Sequence, residues 1–89
     1  MDCQLNLGSV VVSTQGRDAG RIYLISQVQD KDYVFVVDGD IRKFTNPKKK
    51  RIKHLKYAGA TLEAIAEKLA TQKKVFDAEV YSALKSYNK

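Results

Sequence analysis

The residues from Arg42 to Lys56 are the part of this sequence best suited to chemistry with a charged partner. Half of the sixteen lysines and arginines of the chain fall in this segment, and no acidic residue interrupts them. They are Arg42, Lys43, Lys48, Lys49, Lys50, Arg51, Lys53 and Lys56, with His54 among them. Like charges this close repel one another unless a polyanion neutralises them. We therefore predict that this basic run binds a polyanion, because a surface that serves only solubility mixes both signs.

The apolar residues within the basic run favour nucleic acid over a membrane surface. A helix that lies on a membrane needs Trp, Phe or Leu along one face. Here Phe44, Pro47, Ile52 and Leu55 have a spacing that fits short extended segments, and the chain contains no Trp. The net charge of +6 and the pI of about 9.5 agree with a nucleic-acid partner.

Other reactive residue types do not form a recognisable site. Four aspartates, Asp30, Asp32, Asp38 and Asp40, lie where turns are expected, and they lack the spacing of a calcium loop, so we interpret them as turn residues. The single His54 and the single Cys3 supply neither a catalytic triad nor a zinc set. We expect no catalytic residues, no metal and no cofactor.

The five tyrosines could stack on bases. Tyr23 and Tyr33 fall in predicted strands and Tyr81 and Tyr87 in a predicted helix, so packing in the core is the better interpretation for these four. Tyr57 borders the basic run and is the tyrosine most open to stacking.

The elements that must position these residues begin with three predicted strands at 10–13, 21–29 and 33–38. In the second strand, Ile22, Leu24 and Val28 are expected on one face and Tyr23 and Ile25 on the other. The third strand is apolar on both faces and therefore needs cover on both.

Helices in residues 61–88 can supply that cover. Leu62, Ile65, Ala66, Leu69 and Ala70 follow the spacing of an amphipathic helix, with Thr61 as its expected N-cap. A second helix is predicted from Asp77, with Val80, Ala83, Leu84 and Tyr87 along one stripe. Both are too short to be stable alone, so we expect them to pack on the sheet.

The length of 89 residues fits a single domain, 1–89, and the apolar runs are too short to span a bilayer. Nothing at the start of the sequence has the character of a signal peptide. We expect a cytoplasmic, monomeric protein that does not associate with membranes.

The segment 8–21 resembles a KOW motif, in which a short apolar strand leads into a loop of the form Gly-basic-Asp-x-Gly-basic. The matching residues are Gly16, Arg17, Asp18, Gly20 and Arg21, followed by the apolar run from Ile22. Such glycines permit positive φ, and the arginines and amide N–H groups of the loop can contact phosphates. The resemblance continues through the Asp38–Gly39 turn into the lysine run and covers residues 8–56. There the chain is similar to small bacterial KOW-domain RNA-binding proteins and to the fourteen-e type of KOW ribosomal protein.

The resemblance implies an SH3-like barrel of about five strands, so the expected fold is mainly β, with two C-terminal helices packed on the barrel. The last two strands would lie near 41–44 and 52–55, with Phe44 and Ile52 closing the barrel. It implies binding to RNA, with ribosomal RNA the leading choice and ribosomal proteins as neighbours. The expected contacts are Arg17, Arg21 and the eight basic residues of the run. A KOW-type module that binds protein is the alternative, although the basic run offers few apolar anchors for one.

Overall fold

The three apolar segments of the N-terminal half form the three central strands of an antiparallel sheet. A computed structural model describes residues 5–87. Its strands are β1 (Ser9–Ser13), β2 (Ile22–Val28), β3 (Tyr33–Val37), β4 (Lys48–Arg51) and β5 (Leu55–Thr61), and its helices are α1 (Glu63–Ala70) and α2 (Asp77–Lys85). The strand order is β4-β3-β2-β1-β5, so β4 and β5 are the two edges. A short 3-10 helix, Ile52–His54, connects them. The chain is therefore an α+β protein with its helices toward the C-terminus.

Alternation along the central strands builds two separate apolar clusters, one on each face of the sheet. The inner cluster consists of Leu5, Val11, Tyr23, Ile25, Val34, Val36 and Leu55. The helix-side cluster consists of Val10, Leu24, Val37, Ile65, Val75, Val80 and Leu84. Both helices contribute to the second cluster, which confirms that they pack on one face of the sheet. Burying each such side chain contributes roughly 1.5–3 kcal/mol.

A β-bulge moves Val28 away from the face expected for it. Ile25 pairs with Val36, but Gln27 pairs with Phe35, so β2 has one residue more than β3 at this point. The two-residue alternation shifts by one position beyond the bulge, and Val28 comes to lie opposite Val34. Val28 therefore lies on the face of Ile25 and Val34, where it is 43% exposed, and the prediction that it shares a face with Ile22 and Leu24 is wrong.

The two edge strands also differ from the expectation. Residues 41–44 form turns, and the fourth strand is instead part of the basic run, Lys48–Arg51. Residues 52–54 are helical, and the fifth strand begins only at Leu55. Phe44 packs in the helix-side cluster, because its backbone N–H donates to Oδ1 of Asp77 at 2.8 Å at the start of α2. Ile52 does pack against the inner cluster.

Contacts at the helix ends fix the helices on the sheet. Thr61 belongs to β5, and α1 is preceded by Leu62, so Thr61 is not the N-cap. Gly39 lies so close to the α2 backbone that a Cβ there would overlap Tyr81.

Within residues 5–87, no helix is long and apolar enough to cross a membrane. Cys3 and the last residue of the predicted helical segment, Asn88, lie outside the described residues.

Candidate nucleic-acid interface

The loop between β1 and β2 holds a fixed conformation that depends on two glycines. Gly16 has φ +87° and Gly20 has φ +91°, the left-handed region that residues with a Cβ avoid. This confirms the positive φ expected of the loop. The amide N–H groups of Ala19, Gly20 and Arg21 donate to backbone carbonyls within or beside the loop. These three amide N–H groups are therefore not available to a phosphate as the motif suggested, and of the three positions only Arg21 has a side chain that can contact one.

Asp18 is the centre of the hydrogen-bond network beneath this loop. Its Oδ1 accepts from the Ser13 hydroxyl at 2.9 Å and from Nζ of Lys50 at 3.2 Å. Its Oδ2 accepts from the Tyr23 hydroxyl at 2.8 Å and lies 3.2 Å from Nζ of Lys48. The Asp18 side chain is only 9% exposed. Two lysines thus neutralise one carboxylate and two hydroxyl groups orient it, and these four partners come from three strands.

The network changes the acidity of both its acidic groups. Burial by itself would raise the pKa of Asp18, but the hydrogen bonds from Tyr23, Ser13, Lys50 and Lys48 outweigh it and hold that pKa well below its usual range. Burial, together with the hydrogen bond to the Asp18 carboxylate, raises the pKa of Tyr23 above its usual range. Asp18 is therefore a permanent anion and Tyr23 a permanent hydrogen-bond donor at neutral pH.

Alternation along β4 divides the lysine run into two sets with different environments. Lys48 and Lys50 point to the face of the inner cluster and pair with Asp18. Lys49 and Arg51 point to the opposite face, where Nζ of Lys49 lies 4.6 Å and Cζ of Arg51 5.4 Å from the centre of the Tyr33 ring. Lys50 is 9% exposed and also donates to the Gln15 carbonyl at 3.4 Å. Its amine is used inside the protein, so we leave Lys50 out of the candidate interface.

Four basic side chains from three segments meet above Asp18. Arg17 and Arg21 come from the β1–β2 loop, Arg42 from the turn after β3, and Lys48 from the start of β4, and all four line one depression of about 200 Å³. We call this group the loop rim. Lys50, which is not part of the rim, already balances the charge of Asp18. The four cations of the rim are therefore in excess, although Lys48 also lies 3.2 Å from Asp18. Arg21 is additionally 3.8 Å from Asp38. Four of the ten basic residues expected to contact RNA thus lie together at one depression.

The remaining predicted contacts lie outside the loop rim. Lys53 lines a separate cleft with Tyr33 and Arg51. Lys43 is exposed in the turn before β4, and Lys56 is exposed on β5, opposite Val12. The positive surface is thus divided by β4 into the loop rim on one side and the side chains around Tyr33 on the other.

Tyr33 is the functional candidate that the sequence did not reveal. It is half-buried at the edge of the cationic cleft, and its hydroxyl accepts from Nε of Arg51 at 3.0 Å. Tyr57, expected to be open to stacking, instead packs against the inner cluster. Tyr23 is buried as expected, whereas Tyr81 and Tyr87 are exposed. Only the pairing of Tyr33 with Arg51 could have identified this site, and it requires knowing that residues 48–51 form a strand.

The turn aspartates have the structural role expected of them. Oδ1 of Asp30 accepts from the N–H groups of Asp32 and Tyr33, and Oδ1 of Asp38 accepts from those of Asp40 and Arg42, all at 2.8–2.9 Å. The hydrogen bond from Asp32 N–H is the main cause of a lowered pKa at Asp30. In the part of the chain that the structure describes, no three side chains of metal-ligating type come together.

Comparison with models of protein families and with curated proteins finds no match to this chain. The resemblance of residues 8–56 to KOW proteins therefore remains a prediction, carried by the motif and by the conformation of its loop.

Proposed function

We propose that this chain is a non-enzymatic RNA-binding protein of the KOW type and that the loop rim is its main contact with RNA phosphates. The observation that carries the proposal is the convergence of Arg17, Arg21, Arg42 and Lys48 around Asp18, whose charge Lys50 already balances. Clustered cations of this kind are the electrostatic footprint of a nucleic-acid partner. The exposed side chains of Lys49, Arg51 and Lys53 extend this positive surface beyond β4.

The rigid conformation of the loop favours RNA binding in addition to its charge. A flexible loop would lose conformational freedom on binding, whereas the Asp18 network and the two positive-φ glycines hold this loop in place before RNA arrives. Arginines on such a loop can form two parallel hydrogen bonds to a phosphate, and Lys48 acts as a point charge. Contacts of this type position the RNA and read its shape but carry little sequence information.

We also propose that the sheet curls into an SH3-like barrel. Supporting this are the inner cluster, which joins residues of β1, β2, β3 and β5, and the 3-10 helix that links the two edge strands. A bond from the backbone N–H of Ile52 to the Asp32 carbonyl at 2.8 Å, and one from Thr14 to the His54 carbonyl at 2.9 Å, tie that connection to the rest of the sheet. Ribosomal RNA is the proposed target, in translation or ribosome assembly.

Charge reversal on the loop rim tests the binding role. Arg17→Glu/Arg42→Glu should reduce affinity for a structured RNA by at least about tenfold, because each reversal replaces an attraction with a repulsion. Lys73→Glu/Lys74→Glu is the matched control, since it changes the net charge equally at two exposed positions between α1 and α2. Equal loss of affinity in both variants would mean that only net charge matters. Unchanged affinity in the rim variant would move the site elsewhere.

Crosslinking in cells addresses the target. Sequencing the RNA attached to the protein should recover ribosomal RNA at one defined position. Recovery of messenger or transfer RNA without such a position would overturn the ribosomal assignment while leaving the RNA-binding role intact.

A protein-binding module is a second candidate, favoured by one observation. Ile41, at the margin of the loop rim, is 62% exposed, and such an apolar side chain can anchor a protein partner. Under this candidate, Ile41→Ser should abolish capture of a partner and leave RNA affinity unchanged. Under the leading proposal, RNA affinity depends on Arg17 and Arg42 whatever residue occupies position 41.

A further inference from the structure

A second basic feature lies on the opposite side of β4 from the loop rim. It is a cleft of about 390 Å³ where the start of β3 meets the end of β4. The lining residues are Lys31, Asp32, Tyr33, Arg51, Ile52 and Lys53. Three of the six are cationic, one is acidic, one is aromatic and one is aliphatic. We call it the Tyr33 cleft.

The aromatic ring of this cleft is held in a defined orientation. Tyr33 is half-buried, and Nε of Arg51 donates to its hydroxyl at 3.0 Å. Arg51 and Tyr33 are also directly paired across the β3–β4 ladder. Nζ of Lys49 lies 4.6 Å from the ring centre. A fixed aromatic ring among cations is the combination that single-stranded nucleic acid requires, because bases stack on the ring while the backbone stays near positive charge.

We propose that the Tyr33 cleft binds one unpaired nucleotide of the RNA, with its base stacked against Tyr33 and its phosphate held by Arg51 and Lys53. This inference rests on the RNA-binding function proposed above and assigns a chemical preference to a second part of the same surface. Asp32, the one carboxylate in the cleft, is an acceptor for amino or imino groups of the base. Bases of a continuous duplex are stacked on one another and cannot enter, so the cleft selects loops, bulges and ends.

Two variants of Tyr33 separate stacking from packing. Tyr33→Leu keeps an apolar side chain but removes the ring, and Tyr33→Phe keeps the ring but removes the hydroxyl. Affinities are measured for a short single-stranded oligoribonucleotide and for a blunt RNA duplex with the same number of phosphates. Tyr33→Leu should weaken binding of the single strand by about tenfold or more and leave the duplex within about twofold. Tyr33→Phe should bind the single strand within about threefold of the unmodified protein. Tyr81→Leu, at an exposed tyrosine of α2, is the control and should change neither affinity.

Several results would overturn the proposal. Equal effects of Tyr33→Leu on the two RNAs, including no effect on either, would remove the selection for unpaired bases. A loss in Tyr33→Phe as large as that in Tyr33→Leu would assign the effect to the hydroxyl rather than to stacking. In these cases the protein still binds RNA, so the results contradict only the proposal for the Tyr33 cleft. Failure of the unmodified protein to bind either RNA would instead overturn the proposed function itself.

A measurement on the unmodified protein covers the case in which Tyr33→Leu does not fold. Ultraviolet crosslinking to the single strand, followed by mass spectrometry of the peptides, should place the attached nucleotide on Tyr33 or an adjacent lining residue. Attachment confined to the β1–β2 loop would contradict the assignment.

Discussion

Nζ of Lys50 lies 3.2 Å from Oδ1 of Asp18, and this contact joins residues thirty-two positions apart in the chain. Lys50 belongs to an edge strand and Asp18 to the loop between the first two strands. Both side chains are 9% exposed. A lysine that looks in the sequence like one more member of a basic run is therefore a structural residue, and its contact with Asp18 ties β4 to the β1–β2 loop.

Removal of the Asp18 charge should destabilise the fold. Asp18→Ala leaves Lys50 buried without an anion and removes the carboxylate that accepts from the hydroxyls of Tyr23 and Ser13, of which Ser13 also donates to the Gln15 carbonyl. Breaking a buried pair by removing one partner costs about 3–5 kcal/mol. Urea denaturation at neutral pH measures the change. Asp40→Ala, at an exposed turn position, should cost less than about 1 kcal/mol. Similar stabilities for the two variants would show that the Asp18 network contributes little.

Low pH should reduce the stability of the folded protein, because it protonates the same carboxylate. The folded-state pKa of Asp18 lies below its unfolded value, ordinarily about 3.9, so the folded state binds fewer protons than the unfolded state. The stabilisation is fully present above about pH 4 and is lost as the pH falls toward the folded pKa. Urea midpoints should therefore fall more steeply between about pH 4 and pH 2 for the unmodified protein than for Asp18→Asn. Parallel curves would exclude Asp18 as the source.

Substitution of the loop glycines should destabilise the protein through the backbone conformation that they adopt and not through steric overlap of the new side chain. A Cβ at Gly20 would meet no atom within 4 Å, so any cost there is conformational. Gly20→Val should destabilise by about 1–3 kcal/mol, because β-branched residues adopt positive φ poorly. Gly20→Asn should cost less, since Asn tolerates the left-handed region. Thermal unfolding compares the two, and equal melting temperatures for both variants and the unmodified protein would contradict the argument.

The salt dependence of the RNA affinity should report how many phosphates the loop rim contacts. Four neutralised phosphates give a slope near −3 in log K against log salt with the single-strand coefficient of about 0.7. Arg17→Ala/Arg42→Ala removes two of the four side chains and should bring the slope to about −1.5. Affinity measured across a series of salt concentrations provides both slopes. An unchanged slope in the double variant would exclude these arginines from phosphate contact.

Helix docking should be essential to stability. Leu84 is 4% exposed in the helix-side cluster, and Leu84→Ala should cost about 2–5 kcal/mol. Ser82→Ala, at an exposed position of the same helix, is the control and should be nearly neutral. Calorimetry gives both values. A small effect at Leu84 would mean that α2 contributes little to the cooperative unit.

The parts of the fold that could be predicted from the sequence are those governed by apolar periodicity. Runs of apolar residues mark β1, β2 and β3, and the helical spacing of Val80 and Leu84 marks α2. The fourth strand could not be predicted, because every residue from Lys48 to Arg51 is basic. Its buried lysine pairs with a carboxylate in a distant loop. The displacement of Val28 escaped because a bulge has no clear signal in the residue types.

The site was predictable to a similar degree. The motif indicated that Arg17 and Arg21 lie on one loop, and Arg42 lies near them because the antiparallel pairing puts the β1–β2 loop and the end of β3 at the same end of the sheet. The sequence could not reveal that alternation sends Lys49 and Lys50 to opposite faces, because that depends on the secondary structure of the run. The role proposed for Tyr33 depends on the same register.

The span between Asp18 and Lys50 also has a consequence for the order of folding. Contacts between distant residues tend to form late, because a long stretch of chain must first be closed. The β1–β2 loop therefore acquires its final shape only after β4 has joined the sheet. A growing chain that has not yet emerged as far as residue 50 has both loop arginines but lacks the lysine that fixes the loop. The proposed RNA surface is thus complete only in the folded molecule, and a nascent chain would present its charge without its shape.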